Sequence, residues 1–258
     1  MRNIDEIIAG SEPRPAIIAH RGASHYYHEN TMEAFEAAVD MRAEMLEFDV
    51  HRTADGVLVV HHDSDIGGTL ISEMFHEEVC MKASDSGYEI PTLAAVLQYC
   101  SKKIPVDIEL KEGGYEEQAL TQILGVLDVK QFIVTSLHGA VIRKVKDLQS
   151  DVRTGLILSS RPRWQLMTKL YPEKKARNAG ADVLVVSRKL LKLGFLSATR
   201  DLEIPLWVYI VNDRHDLWKM IMEKRVSAIF SDRPDVALLM RDLHAAGQKS
   251  IPGIEEGE

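Results

Sequence analysis

Short apolar runs of strand length alternate with amphipathic, helix-like stretches along almost the whole chain, and this alternation constrains the fold more than any other feature. Patterns such as MEAFEAAVDMR and DLWKMIMEKR separate most of the runs. Strand, helix and strand repeated in this way predict a parallel sheet with right-handed crossovers. The nine strand candidates are AIIAH (16–20), MLEFDV (45–50), VLVVHH (57–62), PVDIEL (105–110), QFIVTS (131–136), TGLILS (154–159), DVLVVS (182–187), LWVYIV (206–211) and SAIFSD (227–232).

The third candidate, VLVVHH, differs from the others because only residues 53–56, TADG, separate it from the extended run before it. Four residues containing Asp-Gly can close a hairpin but are too few for a parallel crossover. We therefore predict that VLVVHH runs antiparallel, as an excursion after the second barrel strand, which leaves eight parallel strands. The predicted fold is α/β, a (β/α)8 TIM barrel, in preference to an open doubly wound sheet, which gives no reason to stop at eight.

No clear domain boundary interrupts the 258 residues, a length that suits one large α/β domain. We predict a single domain over residues 1–246. Residues 64–90 lack strong periodicity, and they are predicted to form a small insertion that covers the barrel mouth. The polar tail at 247–258, which contains Pro and Gly, is predicted to be disordered.

The composition of the chain restricts which classes of partner it can bind. The formal net charge of -8 argues against nucleic acid and against docking on anionic membranes, whereas a phosphate ester is compatible with a locally positive site. The acidic N-terminal segment does not resemble a secretory signal, and no stretch approaches the roughly 18 apolar residues of a membrane span. We expect a cytoplasmic protein with no stable membrane insertion and with Cys80 and Cys100 reduced. The oligomeric state stays open, and a homo-oligomer is compatible with the sequence.

Acidic residues stand near the carboxyl ends of two predicted strands, where barrel enzymes place their active sites. Glu47 and Asp49 share one face of the second strand, and Asp107, Glu109 and Lys111 share one face of PVDIELK. Crowded carboxylates repel one another unless a cation neutralises them, and oxygen ligands favour Mg2+ or Ca2+ over zinc. The alternative is a half-exposed antiparallel sheet that shows its acids to solvent, and repetition of the pattern on two strands argues against it.

The hairpin places a histidine beside these acids. If its turn is centred between Ala54 and Asp55, Glu47 lies opposite His62 on the same sheet face. A register slip of one residue would put His61 there instead. A histidine in an apolar run is more often structural, but a position opposite a candidate metal ligand favours a functional role.

The first predicted strand ends in His20 and Arg21, where a loop would more often begin with a small polar residue. Arg21 can bind a phosphate group with two parallel hydrogen bonds. Further on, Asn30 or Thr31 can cap the helix that begins with MEAF, and capping is sufficient to explain both residues. Capping does not explain Glu29, which can still serve the site.

Taken together, these segments resemble the glycerophosphodiester phosphodiesterase family. The resemblance spans nearly the whole chain, and the order and spacing of its pieces make it specific, although no single piece is decisive. The matching pieces are HRGAS (20–24), ENTMEAF (29–35), EFDVHRTADGVLVVHHD (47–63), IPTLAAVL (90–97), VDIELK (106–111) and, more weakly, SAIFSDRPD (227–235).

The resemblance implies a TIM barrel that hydrolyses glycerophosphodiesters, small-molecule substrates, to glycerol 3-phosphate and an alcohol. It implies one divalent cation, Mg2+ or Ca2+, held by Glu47, Asp49 and Glu109. It also implies that His20 and His62 act as a general acid/base pair. The residues that it implies at the substrate phosphate are Arg21 and Lys111.

Three rival functions stay open at this point. One is a phospholipase that stops at a cyclic phosphate, and another is a lysophospholipase D that acts on longer lipids. The third is a binding protein that kept the barrel and lost catalysis. A zinc hydrolase is disfavoured because no His-x-His pair ends the first predicted strand.

Overall fold

Eight parallel strands close into a barrel in the computed structural model, and a ninth strand pairs with the carboxyl-terminal end of one of them as part of a hairpin. The structure describes residues 2–12, 15–159, 172–191, 195, 203–248 and 250–251. Its strands are β1 (Ala16–His20), β2 (Met45–Arg52), β3 (Leu58–Val60), β4 (Asp65–Ile66), β5 (Thr69–Leu70), β6 (Val106–Leu110), β7 (Phe132–Ser136), β8 (Arg153–Leu158), β9 (Val183–Ser187), β10 (Leu206–Tyr209) and β11 (Val226–Ser231).

Barrel closure follows the order of the chain. The parallel order is β1, β2, β6, β7, β8, β9, β10 and β11, and β11 returns to pair with β1. The predicted (β/α)8 TIM barrel is therefore confirmed, and all nine predicted strands are present. The helices are α1 (Ile4–Ile8), α2 (Met32–Asp40), α3 (His76–Asp85), α4 (Leu93–Cys100), α5 (Glu116–Leu124), α6 (Gly139–Leu148), α7 (Pro172–Ala179), α8 (Arg188–Leu191), α9 (Arg214–Met222) and α10 (Pro234–Ala245).

The barrel interior is apolar toward the amino-terminal ends of the strands. Met45, Ile133 and Trp207 are fully buried members of one interior cluster, which Ile4 and Ile7 of α1 join from outside the strands. The Ile4 backbone N–H donates to the carbonyl that precedes β7, at Lys130 (2.9 Å). Helix α1 therefore covers the amino-terminal end of the barrel, and the polar side chains of the strands lie toward the other end.

The hairpin forms as predicted, but its register is shifted by one residue. Val50 pairs with Val60, and the His61 N–H donates to the Asp49 carbonyl (3.0 Å), so Glu47 does not lie opposite His62. The predicted register is wrong because Thr53 and Val57 close the turn on each other, which centres it on Asp55. His62 follows the last ladder bond and reaches the site from there.

Residues 64–90 contain more regular structure than their sequence suggests. They form the small β4–β5 hairpin, a 3-10 turn at Ile71–Glu73 and α3, around a small apolar cluster that includes Ile71 and Val79. Tyr88 stacks on His28 with ring centroids 3.8 Å apart, so this segment contacts the loop that follows β1.

Two further expectations concern the periphery. Among the described residues, none of the helices has the length and apolar character needed to cross a membrane. Of the tail predicted to be disordered, the structure describes 247–248 and 250–251, with Ile251 buried against the outer helical layer. The rest of the tail lies outside the described residues.

Candidate active site

The acidic residues of β2 and β6 meet side by side at the carboxyl end of the barrel. Glu47 pairs with Asp107 and Asp49 with Glu109 in the parallel register of the two strands. Ligand oxygens of Glu47, Asp49 and Glu109 lie within 4.8 Å of one another. These three residues are the set predicted for the metal, and all three are at most 9% exposed.

These three carboxyl groups differ in their pKa values. Burial, reinforced by the charge of Asp49, raises the pKa of Glu47 well above its usual range. Burial also raises the pKa of Glu109 to about 7, although the charge of Lys111 opposes that shift. Burial alone would raise the pKa of Asp49, but the charges of Lys111 and Arg21 outweigh it and lower that pKa.

Lys111 and Arg21 supply the positive charge of the site. Lys111 Nζ lies 3.0 Å from Asp49 Oδ1 and 3.2 Å from Glu109 Oε1. Arg21 Nε lies 3.1 Å from Asp49 Oδ2, and its Nη1 donates to both oxygens of Glu29 at 2.9 Å. Glu29 is therefore connected to the site through Arg21.

Asn30 belongs to the site rather than to the cap of α2. Its Nδ2 donates to Asp49 Oδ2 (2.8 Å) from a buried position, whereas Thr31 Oγ1 caps the helix by accepting from the Ala34 N–H. The interpretation of Asn30 as a cap is wrong, because Asn30 adopts a left-handed backbone conformation (φ 60°) and aims its amide at Asp49.

His20, at the end of β1, is held by a carboxylate from the far end of the chain. Its Nδ1 lies 2.7 Å from Asp232 Oδ1, just after β11. Ser24 Oγ donates to the same oxygen (3.1 Å), and Asn212 Nδ2 donates to the other one. This arrangement fixes the ring through one nitrogen and leaves Nε2 for a substrate.

His62 is the second histidine of the site. Its Nδ1 lies 2.8 Å from Asp63 Oδ1. Burial, together with the charges of Lys111 and Arg21, lowers the pKa of His62, which favours the neutral form of its ring. A neutral imidazole in this position can accept a proton.

A cavity of about 180 Å3 joins these groups. Six of the eight predicted site residues line it, and the other two, Asp49 and Glu29, contact its lining through Lys111 and Arg21. Tyr209 and Ile210 also line the cavity. The six lining residues are His20, Arg21, Glu47, His62, Glu109 and Lys111.

The carboxylate cluster fits a hard divalent cation. Four buried carboxyl groups, at 47, 49, 107 and 109, lie close to only two cationic side chains among the described residues, so a doubly charged ion would offset the negative charge that these groups carry when they are ionised. Asp107 Oδ2 is buried and has no hydrogen-bond partner within the described part of the chain, although Thr135 Oγ1 donates to Oδ1 (2.8 Å). The ligand atoms are all oxygen, which suits Mg2+ or Ca2+.

Sequence reasoning missed Asp232, Asn212 and the role of Asn30. The motif SAIFSDRPD contained the signal for Asp232, because a charged residue directly after a barrel strand lies at the catalytic end. Asn212, two residues before α9, gave no such signal, and its contact with Asp232 depends on the neighbouring positions of β10 and β11.

A closed parallel barrel with carboxylates, imidazoles and cations gathered at the carboxyl ends of its strands defines a TIM-barrel enzyme. The model of the glycerophosphoryl diester phosphodiesterase family matches residues 20–236. A glycerophosphodiester phosphodiesterase of Bacillus altitudinis is 30% identical over 252 residues, which cover 88% of this chain and 98% of that protein.

Two solved structures have similar folds. The glycerophosphodiester phosphodiesterase of Agrobacterium tumefaciens str. C58 is 26% identical with a TM-score of 0.67, covering 86% of this chain and 98% of that one. A phosphodiesterase of Oleispira antarctica, solved with the product sn-glycerol-3-phosphate, has a TM-score of 0.73 at 22% identity and covers 88% and 97%. The chain described above belongs to the glycerophosphoryl diester phosphodiesterase family and is an enzyme of the phosphoric diester hydrolase class.

Proposed function

We propose that this enzyme hydrolyses glycerophosphodiesters to glycerol 3-phosphate and an alcohol, with one divalent cation and a pair of histidines. The observation that carries the proposal is one cavity lined by two histidines, two cationic side chains and two of the three clustered candidate metal ligands, with the third, Asp49, in contact with its lining. The product complex of the Oleispira antarctica phosphodiesterase is consistent with a glycerol phosphate ligand in a barrel of this kind.

Glu47, Asp49 and Glu109 would hold the cation, which would supply Lewis-acid stabilisation of charge on the phosphoryl oxygens. Lys111 and Arg21 border the same cavity and can donate to the remaining phosphate oxygens. The phosphate would thereby be oriented by charge on several sides, with its ester oxygens directed to the histidines.

The environments of the two histidines favour different roles. His62, whose pKa is lowered by burial and nearby cations, is suited to accept the proton of the nucleophile. His20 is oriented by Asp232 through Nδ1, so its Nε2 is suited to protonate the departing alkoxide. Two nucleophiles are compatible with this pair, namely water or the 2-hydroxyl of the substrate's own glycerol.

We favour the glycerol hydroxyl, by analogy with phospholipases that form cyclic phosphates. A single-turnover reaction followed by phosphorus NMR separates the routes, because the hydroxyl route must pass through a cyclic phosphate. A direct conversion to glycerol 3-phosphate with no cyclic species would select water.

The decisive assay uses glycerophosphocholine and glycerophosphoethanolamine with the full chain, before and after EDTA, and then with Mg2+ or Ca2+ restored. We expect release of glycerol 3-phosphate that EDTA abolishes and one cation restores. Activity that EDTA leaves unchanged would contradict the metal role. Absence of product with every cation would contradict the proposed reaction.

A second candidate substrate is a lysophospholipid. A cavity of about 530 Å3 adjoins the site and shares Leu137 and Ile157 with it, and Leu156 and Leu158 add to its apolar lining. An acyl chain could occupy such a space. Release of lysophosphatidic acid or a cyclic form of it from lysophosphatidylcholine, at a rate above that for glycerophosphocholine, would favour this substrate class.

A further inference from the structure

His51 is a buried histidine at the end of β2 that the proposed chemistry does not use. Its side chain is 4% exposed and contacts two oxygen atoms. Nδ1 lies 2.7 Å from Glu112 Oε2, and Nε2 lies 3.2 Å from the main-chain carbonyl oxygen of His62. The imidazole therefore bridges the segment after β6 and the residue that we propose as general base.

The backbone at His62 lies just beyond regular structure. Strand β3 ends at Val60, and the last ladder bond runs from the His61 N–H to the Asp49 carbonyl. One residue further, the carbonyl of His62 accepts from the His51 side chain instead of from a strand. His51 therefore extends the hairpin ladder by one bond, at the residue whose ring must be placed accurately.

Glu112 fixes the other side of the imidazole. Its Oε2 faces His51 Nδ1, and its Oε1 accepts from the Arg52 backbone N–H (3.3 Å). A carboxylate oxygen and a carbonyl oxygen therefore face the two nitrogens of the His51 ring. These two contacts, on opposite sides of the ring, hold it in one orientation.

We propose that His51, oriented by Glu112, is a positioning residue that holds the His62 backbone and so aims the His62 ring at the substrate. The inference rests on the proposed function, in which His62 is the general base. The His62 ring itself contacts the carboxylate of Asp63, whose side chain is 72% exposed. Since an exposed partner constrains a ring weakly, the bond from His51 to the His62 carbonyl supplies the buried constraint.

A double-mutant cycle tests the coupling. We expect His51→Ala to lower kcat about 10- to 100-fold, because a displacement near 1 Å in a catalytic group costs this much. The change in KM should be smaller. In a His62→Ala background the same substitution should change kcat less than about twofold, since a residue that acts through His62 has nothing left to position. An undiminished loss in that background would overturn the proposal.

Amide hydrogen exchange tests the contact without relying on activity. His51→Ala should speed exchange of the His61 amide about tenfold, while amides in β7 stay unchanged. His51→Gln, which retains a donor, should reduce both effects, and it also serves if the alanine variant folds poorly. The matched control is His244→Ala, which removes an imidazole packed on Trp218 in the outer layer.

The kinetic and hydrogen-exchange measurements distinguish failure of the positioning role from failure of the proposed function. Unchanged exchange at His61 in an active protein would overturn the positioning role and leave the proposed function intact. A wild-type protein inactive on every diester would reject the proposed function and, with it, the catalytic part of this inference. Faster exchange at His61 would still support the structural contact in that case.

Discussion

Asp49 and Glu109 sit opposite each other on neighbouring strands, and yet their proton affinities move in opposite directions. Asp49 contacts Lys111, Arg21 and Asn30, which stabilise its anion, whereas in the described part of the chain Glu109 contacts Lys111 but neither Arg21 nor Asn30. Lys111 thus occupies a position between two candidate metal ligands. A cation bound there would compete with the Lys111 ammonium for both carboxylates, and the displaced ammonium could then serve the substrate phosphate.

Removal of either proposed acid/base group should slow turnover strongly. His20→Ala and His62→Ala are each expected to lower kcat about 100-fold or more, with the cation still bound. Steady-state rates on the preferred diester measure this, and His244→Ala provides the control for loss of an imidazole elsewhere. A loss below about tenfold would remove that histidine from the mechanism.

We expect Asp232 to affect turnover by orienting His20. Asp232→Asn replaces the carboxylate at His20 Nδ1 with a neutral amide that orients the ring less firmly, so kcat should fall about 100-fold with little change in KM. Asp235→Asn makes the same replacement three residues later, where the carboxylate accepts from Tyr26 OH. Equal rates for the two variants would show that Asp232 does not orient His20.

At the scale of elements, strands were predictable and exact pairings were not. The alternation of apolar runs predicted all eight barrel strands, because each must be buried between the interior and a helix. The hairpin register depended on one turn, in which Thr53 pairs with Val57, and composition does not encode that choice. Similarly, asparagine is a residue type that often caps helices, and only the fold shows that Asp49 lies within hydrogen-bonding distance of Asn30.

Gly155 provides a test of packing inside the barrel. It faces inward on β8, and a Cβ atom there would lie 2.8 Å from Thr135 Cγ2 and 2.9 Å from Val183 Cγ2. Gly155→Ala should therefore reduce the free energy of unfolding by about 1–3 kcal/mol, as overpacking does. Gly139→Ala, with its nearest contact 3.6 Å away at Ala179, should be close to neutral in the same denaturant titration. Equal free energies of unfolding for the Gly155→Ala and Gly139→Ala variants would contradict tight packing around Gly155.

At the scale of the whole molecule, the acidic cluster should couple folding to pH in the absence of a bound cation. The pKa of Glu109 is raised from 4.5 to about 7 in the folded chain, so the folded form holds a proton that the unfolded form has released. Its contribution to stability is present below pH 4.5 and is lost as pH rises through about 7. In EDTA, Glu109→Gln should therefore gain about 2 kcal/mol relative to wild type between about pH 5 and pH 8.

The control for this measurement is Glu117→Gln on the exposed face of α5, which should show no such gain. Added Mg2+ or Ca2+ should stabilise the wild type at about pH 8 and leave Glu109→Gln nearly unaffected. A stability difference that does not vary with pH would mean that Glu109 is ionised in the folded protein in the absence of a bound cation.

The barrel is closed at its amino end by α1, and its lower interior is filled by side chains such as Met45 and Trp207. Within the described residues, a molecule bound between His20 and Lys111 therefore leaves along the path by which it entered. Cleavage produces two molecules, and both must leave through the same opening before the next substrate enters. Turnover in a cavity that is closed at one end therefore depends on the order of product release as well as on the rate of bond cleavage.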